Sequence, residues 1–157
     1  MVLNGKIHHP QGRFGIVAAR FNEFITRRLV EGALSVFEQA GIQSSRIDIV
    51  WVPGALEVAY ACKRLASSKK PKALVAAACV LRGDTYHFEC VSNEVTRGIA
   101  QVSLMTDVPI ASAVITADSL DQAIDRAGLK AGNKGAHAAY AALELAGIAQ
   151  VFSKVSV

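Results

Sequence analysis

No apolar run in the 157-residue sequence is longer than the nine residues Ala73–Leu81, whereas a membrane-spanning helix needs about 20. A transmembrane protein is excluded on that count, although 52% of the residues are hydrophobic. Counting glycine and leaving out tyrosine raises the apolar share to about 58%, above the usual 45–50%. An excess without a spanning segment leaves a soluble protein that hides apolar surface between copies of itself. The leader Met1–Arg13 lacks the apolar stretch of a signal peptide and the Arg/Ser richness of a transit peptide, so a cytoplasmic location is expected. Cysteines are few and odd in number: Cys62, Cys79 and Cys90 form no CxxC pair and lie in apolar surroundings. A disulfide framework or zinc site is thereby disfavoured, and buried free thiols are expected. Charged residues make up only 19%, with 17 Lys and Arg against 13 Asp and Glu. The one dense basic cluster, Lys69-Lys70-Pro71-Lys72, has no interleaved aromatics, which argues for a solvated loop and against nucleic acid. A mild positive balance suits a small phosphorylated substrate.

What is present is the length of one domain, enough to bury a core without disulfide or metal staples. Short continuous apolar runs alternate with longer segments of helical spacing. The runs Phe14–Ala19, Ile47–Val52, Ala73–Leu81 and Ile110–Thr116 read as strands buried on both faces, as in a helix-covered parallel sheet. Between the first two, Ile25, Leu29, Ala33, Phe37 and Ala40 mark a helix that Gly41 stops. Ala55–Ser67 fills the second crossover. Phe88, Val91, Val95, Ile99 and Val102 mark the third. Ser119-x-x-Gln122 is a capping box for a helix ending at Gly128. Asn133 can cap a last helix with Ala136, Tyr140 and Leu143 on one stripe, stopping at Gly147. This order predicts a single α/β domain, a three-layer α/β/α sandwich on a four-stranded parallel sheet.

Ligands of open α/β sheets bind beyond the carboxyl ends of the strands. The residues there are Ala19-Arg20-Phe21-Asn22, Val52-Pro53-Gly54-Ala55-Leu56-Glu57, Arg82-Gly83-Asp84-Thr85-Tyr86-His87 and Thr116-Ala117-Asp118. Taken singly, Gly54 and Gly83 serve as turn residues and Thr85 as a helix cap equally well. The loop Arg82–His87 offers more: a glycine that lets backbone N–H groups approach an anion, a hydroxyl, and a helix N-terminus. His87 beside it brings an imidazole, the side chain most often used for proton transfer. Arg126 and the run Gly132-Asn133-Lys134-Gly135 add two cations, or else two solvated helix ends. Dinucleotide and P-loop fingerprints, a nucleophile elbow and metal-spaced His/carboxylate sets are all missing, so neither metal nor cofactor is expected.

Taken in order, these loops together with Gln122-Ala123-Ile124-Asp125-Arg126-Ala127-Gly128 and Gly132-Asn133-Lys134-Gly135 resemble the lumazine synthases from roughly Phe14 to Ile148. The resemblance implies a flavodoxin-like fold and the penultimate step of riboflavin synthesis. In that step 5-amino-6-ribitylaminouracil condenses with 3,4-dihydroxy-2-butanone 4-phosphate to give 6,7-dimethyl-8-ribityllumazine, phosphate and water. By matched position, Phe21 would stack on the pyrimidine, and Ala55, Leu56 and Glu57 would face the ribityl chain. Cys79, Val80 and Leu81 would line the uracil with their backbone. Asp84, Thr85 and Arg126 would hold the phosphate, with Lys134 nearby, and His87 would move protons.

Two positions depart from the family. Ser112 stands where a neighbouring subunit often lends a Phe, and His137 stands where a Glu is frequent. These departures leave room for a binding protein that keeps the pocket without turnover. A phosphosugar lyase on the same fold would need a paired carboxylate or metal set that is missing. The resemblance also implies a homo-oligomer, either a pentamer or a 60-subunit capsid. The short link Gly128–Gly132 resembles that of the capsid formers. Residues 1–12 would form an arm that adds a strand to the adjacent subunit's sheet.

Overall fold

A computed structural model describes residues 2–8 and 10–154. Four strands, β1 (Phe14–Ala19), β2 (Ile47–Val52), β3 (Ala73–Leu81) and β4 (Ile110–Ala117), form one parallel sheet in the order β2-β1-β3-β4. Five helices accompany them: α1 (Glu23–Gln39), α2 (Ala55–Lys69), α3 (His87–Thr106), α4 (Leu120–Arg126) and α5 (Lys134–Lys154). Because successive strand residues point to opposite faces, Phe14, Ile16 and Ala18 join a core with α1, α4 and α5. Val17 and Ala19 join a second core with α2 and α3. The result is the flavodoxin-like α/β/α sandwich.

The helix stripes read from spacing in α1 and α3 are the buried ones, from Ile25 to Ala40 and from Phe88 to Val102. α1 ends as Gly41 adopts φ 85°. The Ile42 N–H then donates to the Phe37 carbonyl (3.0 Å), closing the helix end. At α4, the Ser119 hydroxyl accepts from the Gln122 N–H (3.3 Å), while the Gln122 amide oxygen accepts from the Asp118 N–H (2.9 Å). Asn133 Oδ1 accepts from the Ala136 N–H at 3.1 Å, so Asn133 caps α5 as expected.

Four expectations are corrected. α5 does not stop at Gly147 but runs to Lys154. Gly147 instead admits the backbone of the arm, since a Cβ there would lie 2.5 Å from the Lys6 nitrogen. The buried stripe of α5 is Gly135, Ala138, Ala139, Ala142, Leu143 and Ala146, whereas Tyr140 is 46% exposed. The arm therefore has contacts within its own chain that its sequence did not announce, Gly5 lying against the Glu144 carbonyl. Burial on both strand faces holds for β1 and β3 only. As edge strands, β2 leaves Ile49 41% exposed, and β4 leaves Ser112 and Thr116 open on the side toward α3.

The thiols divide in the same way. Cys62 and Cys79 are buried and free, but Cys90 lies exposed on α3, off the stripe that begins at Phe88 and Val91. Burial pushes the Cys62 thiol up to about 12 and that of Cys79 up to about 11. Since only the thiolate is nucleophilic, both should resist alkylation by iodoacetamide at pH 8 and react once urea unfolds the chain. Mass spectrometry after a timed pulse reads this directly. Rapid labelling of Cys62 in the native protein would contradict the packing. No helix among the described residues is long and apolar enough to cross a membrane.

Candidate active site at the carboxyl edge of the sheet

β1 connects leftward to β2, whereas β3 lies on the other side of β1, so the strand order reverses between β1 and β3. Crevices at such a switch point are the ligand sites of open α/β sheets. A cavity of about 320 Å³ sits there. Phe21 reaches it from the end of β1. Gly54, Ala55, Leu56 and Glu57 come from the start of α2. Cys79, Val80 and Leu81 come from β3, and Gly83, Thr85, His87, Phe88 and Val91 from the loop and helix that follow.

Backbone bonds hold these loops in place. The Arg20 and Phe21 N–H groups donate to the carbonyls of Val52 (2.7 Å) and Pro53 (3.0 Å), tying the end of β1 to that of β2. Asn22 takes the left-handed conformation, φ 58°, and its Nδ2 donates to the Cys79 carbonyl at 2.9 Å. Asn is among the few residues that adopt this conformation readily. Its turn presents Phe21, 71% exposed, to the cavity while α1 begins on the far side.

In the third loop, Thr85 Oγ1 accepts from the His87 N–H at 3.4 Å, and His87 opens α3. Gly83 has no positive φ, and a Cβ there would meet nothing within 4 Å. Turn geometry thus does not require glycine; its effect is to leave the cavity wall low. Arg82 is turned away from the cavity. Its Nε donates to Asp118 (2.6 Å), its other guanidinium arm pairs with Glu89, and the group stacks 4.3 Å over the Phe88 ring. The hydrogen bond from Arg82 holds the Glu89 carboxyl below its ordinary range. Arg82 is therefore a clamp between the β3–α3 loop and the end of β4.

Of the residues picked from the sequence, Phe21, Ala55, Leu56, Glu57, Cys79, Val80, Leu81, Thr85 and His87 line one cavity. Asp84, Ser112, Arg126 and Lys134 do not. Asp84 is exposed on the loop, and Ser112 lies on the open face of β4, its hydroxyl accepting from the Val114 N–H (3.3 Å). Arg126 ends α4, donating to the Gln122 carbonyl (3.2 Å), and Lys134 begins α5. The sequence reading missed Phe88 and Val91 as cavity walls, having used both only to mark the helix of the third crossover, and missed Asn22 and Arg82 as supports. An Asn directly before a helix was the available signal for the first support. A loop arginine followed seven residues later by a glutamate on the next helix was the signal for the second. No group of His, Cys, Asp and Glu among the described residues has the arrangement of a metal site.

Residues 11–150 match the family described as 6,7-dimethyl-8-ribityllumazine synthase. A protein of that name from Clostridium kluyveri is 46% identical over 147 residues, covering 94% of this chain and 96% of the relative. Another from Kosmotoga olearia is 42% identical over 147 residues, covering 94% of each. With the family's pattern matched over most of the chain and relatives more than 40% identical along nearly their whole length, the chain belongs to the 6,7-dimethyl-8-ribityllumazine synthase family.

Proposed function

We propose that the switch-point cavity is where this transferase condenses 5-amino-6-ribitylaminouracil with 3,4-dihydroxy-2-butanone 4-phosphate, giving 6,7-dimethyl-8-ribityllumazine, phosphate and water. The observation that carries the assignment is the convergence of Phe21, Glu57, the Cys79–Leu81 strand end, Thr85 and His87 on one cavity. The Phe21 ring offers a face for the pyrimidine. Glu57, exposed at the start of α2, accepts ribityl hydroxyl bonds. Backbone groups at the end of β3 edge the uracil; the Cys79 carbonyl already accepts from Asn22, which fixes its direction.

The chemistry needs alignment, proton transfer and a stabilised leaving group. The substrate amine attacks the ketone and loses water to form an imine. Phosphate then leaves, and the second amine attacks the remaining carbonyl and closes the ring with loss of a second water. His87 stands beside the Gly83–Thr85 loop and relays the protons. Holding the two substrates together contributes independently of His87, up to about 7–11 kcal/mol in ideal cases. His87→Ala should therefore slow turnover about a hundredfold, the low end of general acid–base effects, without abolishing it. Lumazine absorbance on mixing both substrates measures this. Full turnover by the variant would remove His87 from the mechanism, and no product from the wild type would favour the binding-protein reading.

The clamp at Arg82 serves the same loop. Arg82→Ala should lower kcat/KM roughly tenfold, since small misplacements of catalytic groups are costly, while the melting temperature stays within a degree or two. Arg82→Lys should not rescue it, because an ammonium cannot both pair with two carboxylates and stack on Phe88. Wild-type kinetics in either variant would reduce the clamp to a surface ion pair.

The phosphate end of the cavity lacks a cation from its own chain among the lining residues. Arg126 and Lys134 stand on elements beyond β4, and apolar β2 and β4 have open faces. Both facts support a ring of subunits in which Arg126, Lys134 and Ser112 serve the neighbour's cavity. His137 lies against Gly132 beside that same end of α5.

A further inference from the structure

A second concavity, about 420 Å³, lies at the opposite edge of the sheet, beyond the amino ends of β3 and β4. Lys6 and His8 reach it from the arm, Lys70 and Lys72 from the loop between α2 and β3, and Gln150 and Ser153 from α5. Among the described residues, Asp107 is the one carboxylate on its walls. The basic cluster that reads as a solvated loop in the sequence thus faces a cleft.

The cations are held there by the fold. The Lys72 N–H donates to the Arg13 carbonyl at 2.8 Å. The Lys72 stem lies across Gly12, where a Cβ would come within 2.8 Å of its Cγ and 2.9 Å of its Cε. Lys70 is fixed in the left-handed conformation, φ 47°, as the C-cap of α2. Lys6 is brought in where the arm crosses Gly147. Among the described residues, none of these three lysines has a salt-bridge partner. Three unpaired ammonium groups around one concave wall focus a positive potential that a multiply charged anion relieves.

We propose that this cleft binds a ligand with adjacent phosphate groups, a phosphate anhydride such as inorganic diphosphate or a nucleoside diphosphate. Cations supplied by separate segments match two phosphates better than one, and Gln150 and Ser153 add hydrogen-bonding groups at the α5 wall. The site is remote from the Phe21–His87 cavity, so the two can be tested apart.

Isothermal titration of the assembled wild-type protein with inorganic diphosphate, ADP and inorganic phosphate provides the test. Besides any occupancy of the catalytic phosphate site, which Arg126→Ala removes, diphosphate should bind at one further site per chain with an affinity that falls steeply as salt is raised. Lys70→Gln/Lys72→Gln should weaken it at least tenfold, each ammonium–phosphate contact being worth roughly fivefold even at the dielectric constant of water. Lys6→Gln should weaken it a few-fold. Arg126→Ala should leave it unchanged, and the lysine variants should keep lumazine-forming activity. ADP binding more tightly than diphosphate assigns the cleft to nucleotides, and equal affinity assigns it to the anhydride alone; both support the site. Absence of diphosphate binding overturns the proposal, as does binding lost in Arg126→Ala but kept in the lysine variants. Inorganic phosphate binding as tightly as diphosphate also overturns it.

Discussion

A Gly135→Ala protein is expected to lose about 3 kcal/mol of stability, the upper end of the usual cost of overpacking a core. The first turn of α5 crosses α1 so closely that a Cβ on Gly135 would lie 1.8 Å from the Leu29 carbonyl oxygen and 2.5 Å from its carbon. Both atoms belong to helix backbone, so no side chain can swing aside. The same crossing places Asn133 over Gly32, its Nδ2 donating to the Arg28 carbonyl at 2.9 Å. Separating the helices would break that bond and open the interface around Leu29, Ala33, Ala139 and Leu143, all nearly fully buried. For a domain of this size the melting temperature should fall by roughly 6–12 °C at fixed protomer concentration. Gly83→Ala is the matched control, because its Cβ would meet nothing and its melting temperature should not move. A Gly135→Ala protein melting within 2 °C of wild type would show that the two helices do not approach this closely.

The second large effect concerns the sharing of sites in the proposed ring. Ring closure brings one patch of a subunit against a different patch of the next. His87 would then belong to one side of each cavity and Arg126 to the other. His87→Ala and Arg126→Ala homo-oligomers should each be nearly inactive. After the two are dissociated, mixed in equal amounts and reassembled, about a quarter of the interfaces pair an intact His87 with an intact Arg126. Activity should accordingly rise towards about a quarter of wild type. A mixture that never exceeds the mean of its parents would place both residues in the same catalytic unit of one chain.

The sequence by itself determined the elements and most of the cavity. Periodicity is a local property: alternating faces and helical stripes depend on residues at most four apart, so Phe14–Ala19, the Ile25–Phe37 stripe and the Phe88–Val102 stripe were legible one at a time. The rule that parallel sheets bind ligands beyond their carboxyl ends then selected Phe21, Glu57, Thr85 and His87 without knowledge of strand order. Only the tertiary structure decided what depends on distant neighbours. Whether a strand lies inside or at the edge of the sheet is set by pairing, so β4 could not be told from β3 by composition, and its open Ser112 face was invisible. The role of Gly147 depended on an arm some 140 residues away in the chain. Whether Arg82 faced a ligand or clamped Asp118 and Glu89 depended on loops brought together by the sheet. Close approach and charge pairing act through space, and the chain order of those partners carries no trace of the distance between them.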